Sequence, residues 1–299
     1  MTRGDAWMLL AALAAGLTIA SLPAAGGAAL SPAPVATPSP LATPSPVATP
    51  TPTPLSLGGV IIGHSVLDVV KSIGPPDVLR TTDIGHEWQW VDTGGLDREV
   101  LTDDDMIVQQ VLVAEPASVP NSTPAPIVQP AEFAALTMRA DDAGTSIAKA
   151  GGEMIAEPDS TIRAWALSGG VVVAELESGR VGQLLALDDL SARRLGYLAP
   201  PPFVSSPVVH RAPIMTKEDL VPYPDDAARA GIEGSVVVRV VIGPDGGVER
   251  ADIVVSSHND EIDAASVLSA KKSTYRPAQC DGTPCRGVYF DLQSYSLFH

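Results

Sequence analysis

The chain has 299 residues, 28 of them proline, and a formal net charge of −16 at pH 7. Because the prolines gather in three tracts, we expect several small folded parts joined by linkers instead of one large domain. Affinity for a phosphate backbone is carried by Lys and Arg, so the acidic balance argues against nucleic acid as a partner and against a polybasic membrane-surface patch.

Residues 1–30 have the pattern of an export signal. Arg3 precedes the apolar run "WMLLAALAAGLTIASL", and the small residues of "PAAGGAA" follow it. About 20 apolar residues are needed to cross a bilayer, a length that the run reaches only if Pro23 and the residues behind it are counted. A cleaved signal is therefore favoured over an uncleaved inner-membrane anchor. Both place the rest of the chain in the periplasm or cell envelope.

Three proline-rich linkers are predicted. Residues 31–55 contain "SPAPVATPSPLATPSPVATPTPTP", which cannot bury enough apolar surface to fold and favours the extended polyproline II conformation. Shorter tracts of the same kind cover residues 115–131 and 199–212. The linkers divide the remaining chain into three folded parts, at residues 56–114, 132–198 and 213–299.

The first two folded parts have the same order of motifs. Ser65 and Ser146 are each placed to cap a short helix, and Pro75 and Pro158 are each placed to stop it. β-rich runs separated by a Gly-Gly turn follow in both parts. We expect an α+β fold, with small helix-plus-antiparallel-sheet modules in tandem that share one architecture.

This order resembles, over about 50 residues in each part, the small lipoprotein domain of outer-membrane assembly factor E and the β-lactamase-inhibitor-like repeats. The alternative is a pair of generic α+β adaptors. Both interpretations make the two parts binding or spacing units.

The last part begins with a clear hairpin pattern. "GSVVVRVVI" and "VERADIVVSS" are strand-like runs on either side of "GPDGG", a turn sequence in which glycine supplies a positive φ. Asp260 is placed to cap the following helix "DEIDAASVLSAKK", whose apolar stripe is Ile262, Ala265 and Leu268. An extended segment, a loop and one more strand complete the part.

The spaced letters of this part resemble the C-terminal domain of TonB-type energy transducers. The resemblance rests on the YP pair at Tyr223 and Pro224, the DG turn, the SS pair, the "IDAA" helix and the PA extension. It implies a non-catalytic α+β domain that binds the TonB box of an outer-membrane TonB-dependent receptor, or another envelope protein, by adding the peptide to its sheet edge. The binding residues implied are Tyr223 and Pro224 at the start and Val288, Tyr289, Phe290, Asp291 and Leu292 in the last strand.

One departure from the family leaves an alternative open. Transducers have an uncleaved anchor in which Ser and His couple to a proton channel, whereas the apolar run of this chain has no His. Energy transduction for transmembrane transport is therefore an open part of the prediction. The alternative is an exported scaffold or adaptor that uses the domain only structurally.

Catalysis and metal binding are not predicted. The sequence has no HExxH, GxSxG, P-loop or CxxC motif, and its five His residues lack ligand spacing. We therefore expect no enzyme, no cofactor and no metal site. The two cysteines, Cys280 and Cys285, are close in sequence and exported, so a disulfide is predicted, with free thiols as the alternative.

Overall fold

The computed structural model describes residues 55–91, 97–114, 153–156, 161–167, 169–177, 180–199 and 210–297. The predicted signal or anchor and the linker at 115–131 lie outside the described residues, as do all but the ends of the other two linkers. No helix within the described ranges has both the length and the apolar character that a membrane crossing requires.

The first two parts form one eight-stranded sheet. The elements of residues 55–114 are β1 (Ser56–Leu57), β2 (Val60–Ile61), α1 (Val66–Ile73), β3 (Val78–Thr82), β4 (Gly85–Trp90), β5 (Asp97–Thr102) and β6 (Val108–Ala114). Those of residues 153–199 are β7 (Glu153–Ala156), β8 (Ile162–Leu167), β9 (Gly170–Glu177), β10 (Arg180–Leu187) and α2 (Asp189–Arg194). The strand order is β3-β4-β5-β6-β10-β9-β8-β7.

Each of the two parts contributes a four-stranded antiparallel meander to this sheet. The meanders meet where β6 pairs with β10, with Leu112 opposite Leu185. They have the same strand order, and they are joined edge to edge into one sheet. That the two parts also share their complete fold stays a prediction.

Helix α1 has the local structure that the sequence predicts. Ser65 is its N-cap and its hydroxyl accepts the N–H of Leu67 at 3.3 Å. Gly74 ends the helix with φ of 95°, a conformation that favours glycine. The carbonyl of Gly74 accepts the indole N–H of Trp90 at 3.0 Å, which ties the helix end to β4.

The helix predicted before Pro158 is wrong over part of its length. Glu153–Ala156 form strand β7, in which Met154 lies opposite Trp165 of β8. Gly151 and Gly152 precede this strand, and a pair of glycines disfavours continuing a helix. The predicted cap of that helix, Ser146, lies outside the described residues.

The last part forms a smaller sheet of its own. Its elements are β11 (His210–Arg211), β12 (Ile214–Lys217), α3 (Asp225–Arg229), β13 (Gly234–Ile242), β14 (Val248–Val255), α4 (Asp260–Lys272), β15 (Thr274–Arg276), β16 (Ala278–Cys280), β17 (Thr283–Cys285) and β18 (Gly287–Tyr295). The main sheet has the order β14-β13-β18, and two short ladders, β12-β15 and β11-β16-β17, lie beside it. The predicted turn joins β13 to β14, with Gly246 at φ of 85°.

Helix α4 differs from its prediction by one residue at its start. Asn259, not Asp260, is the N-cap, because the Asn259 side chain accepts the N–H groups of Glu261 and Ile262. Leu268 is 44% exposed and does not continue the buried stripe of Ile262 and Ala265. Small serines take the buried positions instead, at Ser266 and Ser269.

The three-stranded sheet has an apolar layer on each face. One layer lies against α4 and contains Val236, Val238, Val240 and Ile242 of β13 together with Ile262. The other is shared with the first meander and combines Val237, Val255 and Phe290 with Trp88, Trp90 and Val66. The last part and the first meander therefore share a hydrophobic core.

Candidate partner-binding edge

Strand β18 is an edge strand. It pairs with β13 on one side, with Asp291 opposite Val238, and among the described residues no strand pairs with its other side. The Phe290 N–H points to that other side, because it donates to the hydroxyl oxygen of Thr81 at 3.2 Å. Alternate residues of a strand direct their N–H groups alike, so Leu292 and Ser294 direct theirs to the same edge.

The two halves of β18 differ in exposure. Val288 is 7% exposed and Phe290 1%, whereas Leu292 is half-buried and Ser294 is exposed. The Phe290 ring lies 4.5 Å from the ring of His86 and 5.6 Å from that of Trp88, measured between centroids. The amino-terminal half of the edge is thus covered by the first meander, and the carboxyl-terminal half is open.

A chain of hydrogen bonds leads away from the covered half. Thr81 Oγ1 accepts the Phe290 N–H and lies 3.1 Å from His86 Nδ1, and His86 Nε2 lies 3.0 Å from Asp104 Oδ1. With the Thr81 hydroxyl donating to Nδ1, the ring proton of His86 is on Nε2 and faces Asp104. The hydrogen bond from His86, aided by the Arg239 guanidinium and opposed by burial, holds the pKa of Asp104 below its usual range. Thr81, His86 and Asp104 therefore form a connected polar network, which lies beside the rings of Trp88 and Phe290.

Tyr289 and Asp291 point to the opposite face, toward α4. The Tyr289 ring lies 5.7 Å from that of Tyr275. Burial raises the pKa of Asp291, opposed by a 2.6 Å hydrogen bond from the Gln293 side chain. Both side chains belong to the packed interior of the last part, so an added strand would contact their backbone and not their side chains.

Tyr223 and Pro224 lie near the open half of the edge. The Tyr223 hydroxyl donates to the carbonyl oxygen of Ile232, and its ring meets that of Tyr295 edge-on, with 5.4 Å between centroids. Pro224 is the N-cap of α3. Tyr223 therefore lies at the carboxyl-terminal end of β18, whereas Val288 and Phe290 lie in the covered amino-terminal half.

Two residues at this edge are not among those predicted from the sequence: Ser294, which lies in β18, and Thr81, which contacts it. Ser294 could have been found by extending the last strand beyond Leu292, since "DLQSY" continues a strand-like run. Thr81 is 209 residues away from Phe290, and no local signal relates the two.

The cysteines lie in the hairpin that precedes β18. A disulfide joins Cys280 to Cys285, whose Cα atoms are 5.9 Å apart. His210 pairs with Cys280. Within the described residues, His210, Cys280 and Cys285 are the one group of possible metal ligands, with ligand atoms within 4.8 Å of one another. Because the sulfurs are bonded to each other, neither is a thiolate ligand in this state.

Replacing both cysteines by serine is expected to lower the free energy of unfolding by about 2 kcal/mol, the chain-entropy value for so short a loop. Urea unfolding of the variant and of the unreduced parent measures the difference. The same unreduced parent, denatured, is expected to contain no reactive thiols. Two reactive thiols per chain in that measurement would contradict the disulfide.

The family comparison matches the last part alone. Residues 220–292 match the family described as Gram-negative bacterial TonB protein C-terminal. No curated protein matches the sequence.

Two solved structures show limited similarity to the chain. One is a cysteine-rich secretory protein from Staphylococcus aureus subsp. aureus Mu50, with 9% identity, a TM-score of 0.32 and coverage of 48% of each chain. The other is an extracellular protein containing an SCP domain from Bacillus anthracis str. Ames, with 12% identity, a TM-score of 0.30 and coverage of 44% of this chain and 46% of that one. This chain thus matches about half the length of either structure, and similarities this low carry no argument about fold or function.

The family match covers α3, β13, β14 and α4 and ends within β18, at Leu292. It includes both strands of the predicted hairpin and the Tyr223 and Pro224 pair. The family is a non-enzymatic one found in envelope proteins. Residues 220–292 are a domain of the TonB C-terminal family.

Proposed function

We propose that this protein is an envelope protein whose β18 edge binds an extended peptide of an outer-membrane TonB-dependent receptor by strand addition. In this mode, main-chain hydrogen bonds to a free sheet edge supply the affinity. The observation that carries the proposal is the open half of β18, where the N–H groups of Leu292 and Ser294 point away from β13. Among the described residues neither group has an acceptor.

The proposal concerns binding and does not include energy transduction. A transducer requires an anchor that couples to a proton channel, and the apolar run of residues 7–22 has no His for this purpose. Peptide binding by β18 does not require such an anchor, so the proposed function applies equally to a released and to an anchored protein.

Replacing Ser294 by proline is expected to weaken peptide binding about three- to tenfold, the effect of one lost main-chain hydrogen bond. Proline has no N–H, and at this position the N–H points away from the sheet, so the β13 ladder keeps its bonds. Fluorescence anisotropy of a fluorescein-labelled TonB-box peptide, titrated with the full chain, measures the affinity.

Ser294→Ala is the matched control, because it removes the hydroxyl that lies 3.1 Å from the Ser235 hydroxyl but keeps the backbone N–H. It is expected to bind as the parent does. A TonB-box peptide with a central proline is expected to bind weakly to every variant. If Ser294→Pro and Ser294→Ala bind equally well, the peptide does not pair with this edge.

A second candidate function is that of a scaffold, in which the domain has a structural role only. The burial of Val288 and Phe290 in the core shared with the first meander favours it. The same titration separates the two candidates, since a scaffold would show no saturable binding of the TonB-box peptide.

A further inference from the structure

We infer that strand β3 and the β3–β4 turn, residues 78–84, are an intramolecular cover on the amino-terminal half of the partner-binding edge, and that an incoming peptide displaces them from the open half onward. The inference rests on the proposed function of the β18 edge. It adds that the first meander and the partner compete for the same backbone group, the N–H of Phe290.

The competition follows from the hydrogen bond at Phe290. An added strand supplies a carbonyl acceptor to each outward N–H of the edge it joins. At Phe290 this place is taken by Thr81 Oγ1. At Leu292 and Ser294 it is not taken by any described residue. A peptide can therefore pair first with the open half, and it completes its pairing only where Thr81 has moved away.

The cover is an edge of the eight-stranded sheet. Strand β3 is at the end of the strand order and pairs with β4 alone. None of its five residues is buried. Elements with few buried contacts open locally at low cost, whereas the interior strand β4, in which His86, Trp88 and Trp90 are buried, stays in place.

One further polar contact holds the hairpin to the last part. In the β3–β4 turn, Asp83 Oδ1 accepts the N–H of Ala212 at 2.8 Å. Together with the Thr81 bond it fixes both the strand and its turn to the last part. Movement of β3 and its turn away from β18 therefore breaks the bond to Ala212 as well. A peptide that pairs with β18 does not replace this bond.

Removing the Thr81 hydroxyl provides the test. Thr81→Val keeps the side-chain shape but loses the bonds to Phe290 and His86, so a larger fraction of the molecules has the edge uncovered, and the apparent affinity rises with that fraction. We expect the fluorescein-labelled TonB-box peptide to bind Thr81→Val about three- to tenfold more tightly than the parent.

Two matched controls accompany this variant. Thr81→Ser keeps a hydroxyl and is expected to bind as the parent does. Thr82→Val carries the same change one residue further on, where the hydroxyl bonds to Gly85 within the hairpin, and is expected to leave peptide affinity unchanged. Asp83→Ala removes the other polar contact without altering Thr81 and is expected to tighten binding in the same direction. It provides the test if Thr81→Val does not fold, as judged by circular dichroism.

Amide hydrogen exchange of the parent supplies an independent measurement. On addition of the peptide, the Ser294 amide is expected to exchange more slowly and the Ala212 amide more quickly, because the bond from Ala212 to Asp83 breaks as β3 and the β3–β4 turn move. Equal affinity of the parent, Thr81→Val and Asp83→Ala, with Ala212 unchanged, would overturn the cover while leaving the binding edge intact. Absence of binding in every variant would overturn the binding edge, and the cover with it.

Discussion

Phe290→Ala is expected to lower the free energy of unfolding by about 3–5 kcal/mol, the usual range for removing a buried Phe side chain. Phe290 is fully enclosed, with its ring against His86 and Trp88. Its core is shared by the last part and the first meander, so the loss is expected to destabilise both. Urea unfolding followed by tryptophan fluorescence is the measurement, because Trp88, Trp90 and Trp165 all lie in the eight-stranded sheet.

The tryptophans make this a test of the contact between the two sheets. The substitution is in β18, whereas Trp88, Trp90 and Trp165 report on the other sheet. Phe290→Leu keeps most of the buried volume and is expected to cost less than about 1.5 kcal/mol. Leu220→Ala, at a side chain that is largely exposed, is expected to change stability by less than about 0.5 kcal/mol. A Phe290→Ala unfolding curve that overlays the parent's would mean that the sheets do not share a packed core.

Glu99→Gln is expected to stabilise the protein by about 2–3 kcal/mol at pH 8 and to have little effect at pH 4. Glu99 is 8% exposed, and burial, reinforced by the neighbouring Glu87 carboxylate, raises its pKa to about 7 from 4.5. The folded state thus favours the protonated carboxyl. The resulting stability is fully present below about pH 4.5 and is lost as the pH rises through about 7.

The measurement is urea unfolding of the parent and Glu99→Gln between pH 4 and pH 8. The parent should lose stability relative to the variant across this range, because only the parent has to bury a carboxylate. Glu218→Gln, at an exposed position, is the control and should follow the parent's pH profile. Parallel profiles for the parent and Glu99→Gln would contradict the raised pKa.

The features that the sequence predicted well are those determined by neighbouring residues. Gly246 needs a positive φ for the turn between β13 and β14, and Ser65 caps α1 through a residue two positions away. The predicted N-cap of α4 differs from the observed one by one residue, because Asn259 and Asp260 are both good capping residues. The two capping residues in the sequence predict that the helix begins there, and the backbone geometry decides which of the two side chains accepts the first N–H groups of the helix.

The features that could not be predicted depend on residues far apart in the chain. The pairing of Leu112 with Leu185 joins two segments that each look like a complete small sheet. The bond between Thr81 and Phe290 likewise has no local pattern. The resemblance to a family indicated β18 as the binding strand, but it carried no information about the first meander, which covers half of it.

The shared core also has a consequence for the order in which the protein folds. Trp88 lies in the first meander, yet its ring packs against Phe290 of β18, about 200 residues later in the chain. Contacts between such distant residues form late, because a long loop must close before they are made. Until β18 docks, this apolar face is open to other chains, and partly folded states with exposed apolar surface are prone to aggregate. A truncation that removes β18 therefore leaves the first meander with an incomplete core as well as removing the binding strand.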